Sequence, residues 1–271
     1  MPTVNADGIN TDYLDTGGDG TPVVLLHAFP FNSNMWEPQI EALSDRFRFI
    51  APDLKGFGGS DAPQEESGYT MDSYADQVAA VLDDAGVDKV VLAGLSMGGY
   101  ISFAFLRRHR DRVSALVLAD TKAEADPPEG IEKRTNQQGA VRADGTAALI
   151  DGLAGALLSE PTQQKKPDVV ERVKELMAEN GPAGFIGALE AMKGRPDSSG
   201  ELSQINVPTL VIVGEHDGVT PPDAARKIHE HVGGSRLVVI PEAGHLSNLE
   251  APEAFNGAVA EFLQGAAAQR Q

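Results

Sequence analysis

Short runs of apolar, often β-branched residues alternate along this chain with longer segments in which apolar residues recur every three or four positions. Most of the short runs are apolar at consecutive positions, which is typical of parallel strands covered by helices on both faces. The opening residues predict a hairpin at a sheet edge that turns at Asp7-Gly8. The alternation predicts an α/β fold with a mostly parallel central sheet of about eight strands flanked by helices. The predicted strands lie within residues 22–29, 46–53, 89–96, 113–120, 208–217 and 235–245, and the predicted helices within 73–86, 96–109, 222–233 and 252–265.

One segment departs from this alternation. Residues 121–200 contain no convincing strand but hold helical patterns, of which Val169, Val173 and Leu176 belong to one. We interpret this segment as a helical cap insertion over the carboxyl edge of the sheet, where open α/β sheets bind their ligands. The core is then formed by residues 1–120 and 201–271. The tail 265–271 is expected to fray.

Composition narrows the class of partner. The chain has 40 acidic and 22 basic residues, for a formal net charge of −18, and a surface of that sign repels nucleic-acid phosphates and anionic lipids. No apolar run reaches the roughly 18 residues that a membrane span needs, and the opening residues do not resemble a secretory signal. The absence of cysteine excludes disulfides and thiol chemistry. We expect a cytoplasmic protein that acts on a small molecule.

The stretch Gly94-Leu95-Ser96-Met97-Gly98 lies where a predicted strand meets a predicted helix. In that context the pattern G-x-S-x-G presents a nucleophilic serine on a strained turn. Side chains two residues to either side must be very small, and the glycines at 94 and 98 meet that demand. The start of the following helix directs the positive end of its dipole toward the serine. We therefore predict that Ser96 is a nucleophile.

A serine hydroxyl needs a base to accept its proton and a carboxylate to hold that base. On scaffolds of this type the chain order is serine, acid, histidine. His245 follows the last predicted strand and Asp217 ends the one before it, so both are expected at the same sheet edge as Ser96. We predict His245 as the base and Asp217 as the acid, with Asp120, at the end of the 113–120 run, as the alternative acid.

Several motifs then occur in one order along the chain: LLHAFP, PDLKGFGGSD, GLSMGG, GEHDGVTPP and AGHLSNLEAP. With this set the sequence resembles the α/β-hydrolase superfamily over nearly its whole length. Within it, the sequence is similar to bacterial 3-oxoadipate enol-lactonases, aryl esterases and cofactor-free perhydrolases (haloperoxidases). The resemblance implies an oxyanion hole made by the backbone N–H groups of Phe29 and Met97, each worth on the order of 3 kcal/mol. Pro30, which has no N–H, either directs its carbonyl into the site or stiffens the loop.

The resemblance also implies the reaction, which is hydrolysis of a carboxylic ester or lactone through an acyl-enzyme on Ser96. Three alternatives stay open: a perhydrolase that makes peracids from carboxylic acids and hydrogen peroxide, a carbon–carbon bond hydrolase, and a small-molecule receptor with vestigial hydrolysis. Neither a metal nor a cofactor is expected, since no His, Asp or Glu cluster has metal-ligand spacing. The acyl group is not predicted, because residues 121–200 shape the pocket.

Overall fold

The structure is a computed structural model that describes residues 1–63 and 65–268. One eight-stranded sheet runs through the molecule in the order β1-β2-β4-β3-β5-β6-β7-β8. The pairs β1/β2 and β2/β4 are antiparallel and the remaining neighbours are parallel, which confirms the predicted mostly parallel sheet. The strands are β1 (Thr3–Ala6), β2 (Ile9–Asp15), β3 (Thr21–Leu26), β4 (Phe47–Pro52), β5 (Val90–Leu95), β6 (Val113–Ala119), β7 (Thr209–Gly214) and β8 (Arg236–Ile240).

The predicted hairpin forms the edge of this sheet. Asp7 and Gly8 have φ values of 50° and 84°, and a two-residue turn with two positive φ values is the type I′ turn that suits a tight hairpin. Ala6 pairs with Ile9 across the turn.

Helices cover both faces of the sheet. In chain order, the helices of the described residues are α1 (Glu37–Leu43), α2 (Met71–Asp84), α3 (Met97–Arg108), α4 (Pro128–Asp144), α5 (Ala147–Leu157), α6 (Glu160–Lys165), α7 (Pro167–Ala178), α8 (Pro182–Lys193), α9 (Pro222–His231), α10 (Ser247–Glu250) and α11 (Pro252–Ala268). Successive residues of β3 enter two separate apolar cores, Val24 and Leu26 on the side of α2 and α3, and Val23 and Leu25 on the side of α1 and α11. No helix among the described residues is long and apolar enough to cross a bilayer.

Two helices extend beyond the ranges predicted for them. Helix α2 begins two residues early because Thr70 and Ser73 form a reciprocal capping box, with hydrogen bonds of 2.9 and 3.0 Å. The predicted fraying is wrong for residues 265–268, which continue α11, and the buried Ala266 packs there against the apolar core. Residues 269–271, which the same prediction covered, lie outside the described residues.

Helices α4 to α8 lie between β6 and β7, and residues 121–200 contain no strand, as predicted. This insertion packs against loops at the carboxyl ends of the strands. Gly184 of α8 lies so close to Gly56, after β4, that a β-carbon on either glycine would overlap the backbone of the other. The loop after β8 is also engaged, since the His245 N–H donates to the Leu157 carbonyl at 2.8 Å.

Candidate active site

Ser96 lies between β5 and α3 in a strained turn, with φ 55° and ψ −109°. Such a conformation costs a non-glycine residue on the order of 1–3 kcal/mol, so close packing must enforce it. A β-carbon at Gly94 would overlap the backbone of Gly98, and one at Gly98 would overlap the carbonyl of Leu26. The Thr121 hydroxyl donates to the Ser96 carbonyl at 2.8 Å. The two glycines therefore permit the turn that places Ser96 at the carboxyl end of β5.

His245 joins Ser96 to Asp217. Its Nε2 lies 2.8 Å from Ser96 Oγ, and its Nδ1 lies 2.8 Å from Asp217 Oδ2. Because a carboxylate can only accept, we assign the ring proton to Nδ1, which leaves Nε2 free to accept from the serine hydroxyl. All three residues are buried. The structure thus brings together the three side chains that the sequence singled out.

The Asp217 carboxylate accepts three further hydrogen bonds besides the one from His245. Its Oδ1 accepts from the N–H groups of Val219 and Thr220 at 2.8 and 2.9 Å, and its Oδ2 accepts from the Thr220 hydroxyl at 2.7 Å. Burial opposes ionisation, but the charge on His245 and the hydrogen bonds from His245 and Thr220 outweigh it, and the pKa of Asp217 lies below its usual value. Sequence reasoning missed Thr220, although Asp-Gly-Val-Thr is the kind of stretch in which an aspartate accepts from N–H groups just ahead of it.

The imidazole of His245 is buried among negative charges. Burial disfavours the charged ring, but the charge and hydrogen bond of Asp217, with the charge of Glu250, raise the pKa of His245 above its usual value. The ring therefore binds a proton more readily than an isolated histidine does.

Asp120, the alternative acid, occupies a different place. It follows β6 directly, with φ 44°, and is fully buried. Its Oδ1 accepts from the Gly214 N–H at 2.8 Å, and its Oδ2 contacts the N–H and hydroxyl of Ser247. Burial first, and then the charge of Asp217, raise the pKa of Asp120 to about 8. Asp217 and not Asp120 therefore holds His245 Nδ1, while Asp120 links β6, β7 and the start of α10.

The expected oxyanion-hole residues come from two loops. Phe29 lies in the loop after β3, and Met97 is the first residue of α3. A first helical residue has no intrahelical partner for its N–H. Within residues 1–63 and 65–268, neither of these two N–H groups donates to a protein acceptor. The Pro30 carbonyl accepts from Asn180 Nδ2 at 3.1 Å, so it is bound to the insertion. Of the two interpretations of Pro30, this contact favours the stiffened loop.

His27 stabilises the loop after β3, which carries Phe29 and Pro30. Its Nε2 accepts from the Leu54 N–H at 3.1 Å, and its Nδ1 lies 3.0 Å from the Ala28 carbonyl, to which it donates. Burial lowers the pKa of His27 to about 4, so the ring is neutral and joins the loops after β3 and β4. In the part of the chain that the structure describes, no group of three or more His, Asp or Glu side chains is arranged to hold a metal ion.

Known proteins resemble this chain in sequence and in fold. Residues 21–252 match the family described as the alpha/beta hydrolase fold. The chain is 34% identical to the AB hydrolase superfamily protein YisY of Bacillus subtilis (strain 168), with 93% of this chain and 95% of that protein covered. A thermophilic esterase from Thermogutta terrifontis superimposes with a TM-score of 0.92 at 38% identity over 98% of both chains. The enol-lactonase from Burkholderia xenovorans LB400 superimposes with a TM-score of 0.89 at 30% identity, covering 97% of this chain and 100% of that one.

Proposed function

The chain belongs to the α/β-hydrolase fold family, and from this premise we propose that it is a serine hydrolase that cleaves a carboxylic ester or lactone through an acyl-enzyme. The observation that carries the proposal is the chain of two 2.8 Å contacts from Ser96 through His245 to Asp217. The similarity to an esterase and to an enol-lactonase supports this class of reaction.

In the first half of the reaction, Ser96 Oγ attacks the acyl carbon while His245 Nε2 accepts the hydroxyl proton. Asp217 stabilises the imidazolium that forms. Negative charge moves onto the carbonyl oxygen, where the N–H groups of Phe29 and Met97 receive it. As the carbonyl re-forms, the bond to the leaving oxygen breaks, and the imidazolium donates its proton to that oxygen.

In the second half, water attacks the acyl carbon and His245 accepts a proton from it. The bond to Ser96 Oγ then breaks, the imidazolium returns a proton to the serine, and the carboxylic acid leaves. With a lactone, the leaving oxygen stays attached to the acyl chain, so the product is one ring-opened acid.

We propose that residues 1–120 and 201–271 form the catalytic core and that residues 121–200 act as a cap that shapes the substrate pocket. The ring of Phe185 in this cap packs edge-on against Phe29, with 5.4 Å between the ring centroids. Asn180 binds the Pro30 carbonyl in the same loop. Substitution of Phe185 should therefore change the preferred acyl group while leaving the three catalytic side chains in place.

The test is hydrolysis of p-nitrophenyl acetate, p-nitrophenyl butyrate and a lactone panel by the wild type and by Ser96→Ala. Loss of the nucleophile should lower kcat on the order of 10⁶-fold. A covalent phosphonate probe should label Ser96 alone. Ser102→Ala is the matched control, since this buried serine of α3 donates to the Gly98 carbonyl, whereas His245 Nε2 faces Ser96.

Full activity in Ser96→Ala would overturn the proposal. Peracid formation from acetate and hydrogen peroxide, at a rate above ester hydrolysis, would favour the perhydrolase instead. Cleavage of a diketone panel but not of the esters would favour the carbon–carbon hydrolase. Tight ligand binding without turnover would favour the receptor.

A further inference from the structure

Glu250, the last residue of α10, is a buried carboxylate with an unusual set of partners. It is 1% exposed. Its Oε1 accepts from the N–H groups of Gly244 and Leu246 at 2.9 and 3.2 Å, and its Oε2 accepts from the Ser159 N–H at 2.9 Å. Two of these donors flank His245, and the third belongs to the insertion. One side chain thus joins the loop that carries the base to a segment 91 residues away.

Other contacts draw the same two segments together. The His245 N–H donates to the Leu157 carbonyl at 2.8 Å, and Lys166 Nζ donates to the main-chain carbonyl of Glu250 at 2.6 Å. A β-carbon on Gly244 would lie 2.6 Å from the Ser159 nitrogen, so the two backbones are in close contact. The junction between α5 and α6 is therefore docked directly on the loop that carries the base.

We propose that Glu250 is a positioning residue that ties the His245 loop to the insertion, so that His245 aligns with Ser96 only while residues 157–159 are docked. This inference rests on the proposed function. A carboxylate has no donor and can accept all three N–H groups, whereas the NH₂ of a glutamine would face one of them. A displacement of about 1 Å in a catalytic group can cost about 10²-fold in rate.

Glu250 also contributes charge. The carboxylates of Asp217 and Glu250 raise the pKa of His245 against the effect of burial, and Lys166 is the cation bound to the Glu250 main chain. Asp120 also lies near the ring, but it stays neutral below its own raised pKa of about 8. His245 must be neutral to act as a base. Glu250→Gln removes one negative charge, which should lower the pKa of His245 and move the acid limb of kcat/KM to lower pH. Glu250→Asp keeps the charge but is too short to span the three donors.

The first experiment measures kcat and KM on p-nitrophenyl butyrate across the pH range for the wild type and both Glu250 variants, with circular dichroism to verify folding. Both variants should lower kcat by about 10²-fold with little change in KM. Only Glu250→Gln should move the acid limb. A kcat equal to the wild type and an unmoved limb in Glu250→Gln would overturn the inference.

A second pair of variants tests the link to the insertion without touching Glu250. Ser159→Pro removes the N–H that donates to Glu250, together with the Ser159 hydroxyl, and places a ring carbon where that N–H pointed. The backbone dihedrals accept proline there, because Ser159 has φ −63° and Leu158 has φ −95° and ψ 142°. Ser159→Ala keeps the N–H but, like the proline variant, loses the hydroxyl that caps α6 at Thr162. We expect Ser159→Pro to have at least about tenfold lower kcat than Ser159→Ala, since the loss of one hydrogen bond of about 1.4 kcal/mol alone accounts for that factor. Equal kcat values would contradict the coupling.

Phosphonate labelling separates failure of this inference from failure of the proposed function. If Ser96 is not labelled and Ser96→Ala stays active, the proposed function fails whatever Glu250 does. If Ser96 is labelled at the same rate and with the same pH dependence in the wild type and Glu250→Gln, only the positioning role of Glu250 fails.

Discussion

Two aspartates at the ends of neighbouring parallel strands differ in nearly everything except burial. Asp217 follows β7 and accepts from two backbone N–H groups, from Thr220 and from His245. Asp120 follows β6 and accepts from the Gly214 N–H and from Ser247. The pKa of Asp217 lies below its usual value, whereas that of Asp120 is raised to about 8. The donors around a carboxyl group, rather than its residue type or its strand, decide whether it carries charge.

The opposite pKa shifts of Asp120 and Asp217 also avoid repulsion between two buried negative charges. Two ionised carboxylates in one buried site repel, so the protonated state of one favours the ionised state of the other. Asp217 is the ionised member of the pair, because His245 donates a hydrogen bond to it and becomes a cation during the reaction. Asp120 faces the neutral hydroxyl of Ser247, and its neutral form can donate there.

The largest effect that bears on this comparison is expected from Asp217→Asn. The amide can place an N–H toward His245 Nδ1, which favours the ring tautomer that carries its proton on Nε2 and cannot accept from Ser96. We expect kcat to fall by about 10⁴-fold, measured on p-nitrophenyl butyrate. If Asp217→Asn keeps substantial activity and the double variant with Asp120→Asn loses it, Asp120 is the acid and the comparison is inverted.

A smaller effect, on stability, is expected from Asp120→Asn. The folded protein keeps Asp120 protonated from its usual pKa of 3.8 up to about 8, whereas the unfolded chain releases that proton near 3.8. The contribution of Asp120 is therefore fully present below 3.8 and is lost as pH rises to about 8. Within that window the wild-type free energy of unfolding should fall by up to about 1.4 kcal/mol per pH unit from this group.

Urea unfolding of the wild type and Asp120→Asn at several pH values measures this slope. An amide does not titrate, so the free energy of unfolding of the variant relative to the wild type should rise with pH and level off above about 8. Parallel curves for the two proteins would show that Asp120 is ionised in the folded state. Activity in Asp120→Asn should stay within about tenfold of the wild type, since an amide can keep one neutral hydrogen bond to Ser247.

Removing the hydroxyl groups that hydrogen-bond to the two aspartates should have the smallest effect. Thr220→Val keeps the shape and the backbone N–H but removes the 2.7 Å hydrogen bond to Asp217. A hydrogen bond to a charged group is worth about 1.5–3 kcal/mol, and we expect about a tenfold loss of kcat. Ser247→Ala is the matched change on the Asp120 side and should cost less, because its partner is neutral. A larger loss of kcat in Ser247→Ala than in Thr220→Val would contradict the conclusion that Asp120 is the neutral member of the pair.

Much of this molecule follows from local and periodic features of the chain. The alternation of apolar runs and helical patterns predicted the parallel sheet, because burial on both faces requires consecutive apolar positions. Asp7-Gly8 predicted the hairpin turn. Gly94 and Gly98 predicted the turn at Ser96, because the required backbone geometry leaves no room for a β-carbon at either position. Apolar periodicity and turn chemistry are local properties of the chain, so they can be read before the fold is known.

The remaining features depend on contacts between distant parts of the chain. Which aspartate meets His245, and whether Asp120 carries charge, depend on donors brought in by other loops. Thr220 and Glu250 acquire their roles from partners that no short-range pattern contains, and Glu250 meets Ser159 across 91 residues of chain. Hydrogen bonding and burial act over a few ångströms in space, and which groups come that close is settled only when the whole chain has packed.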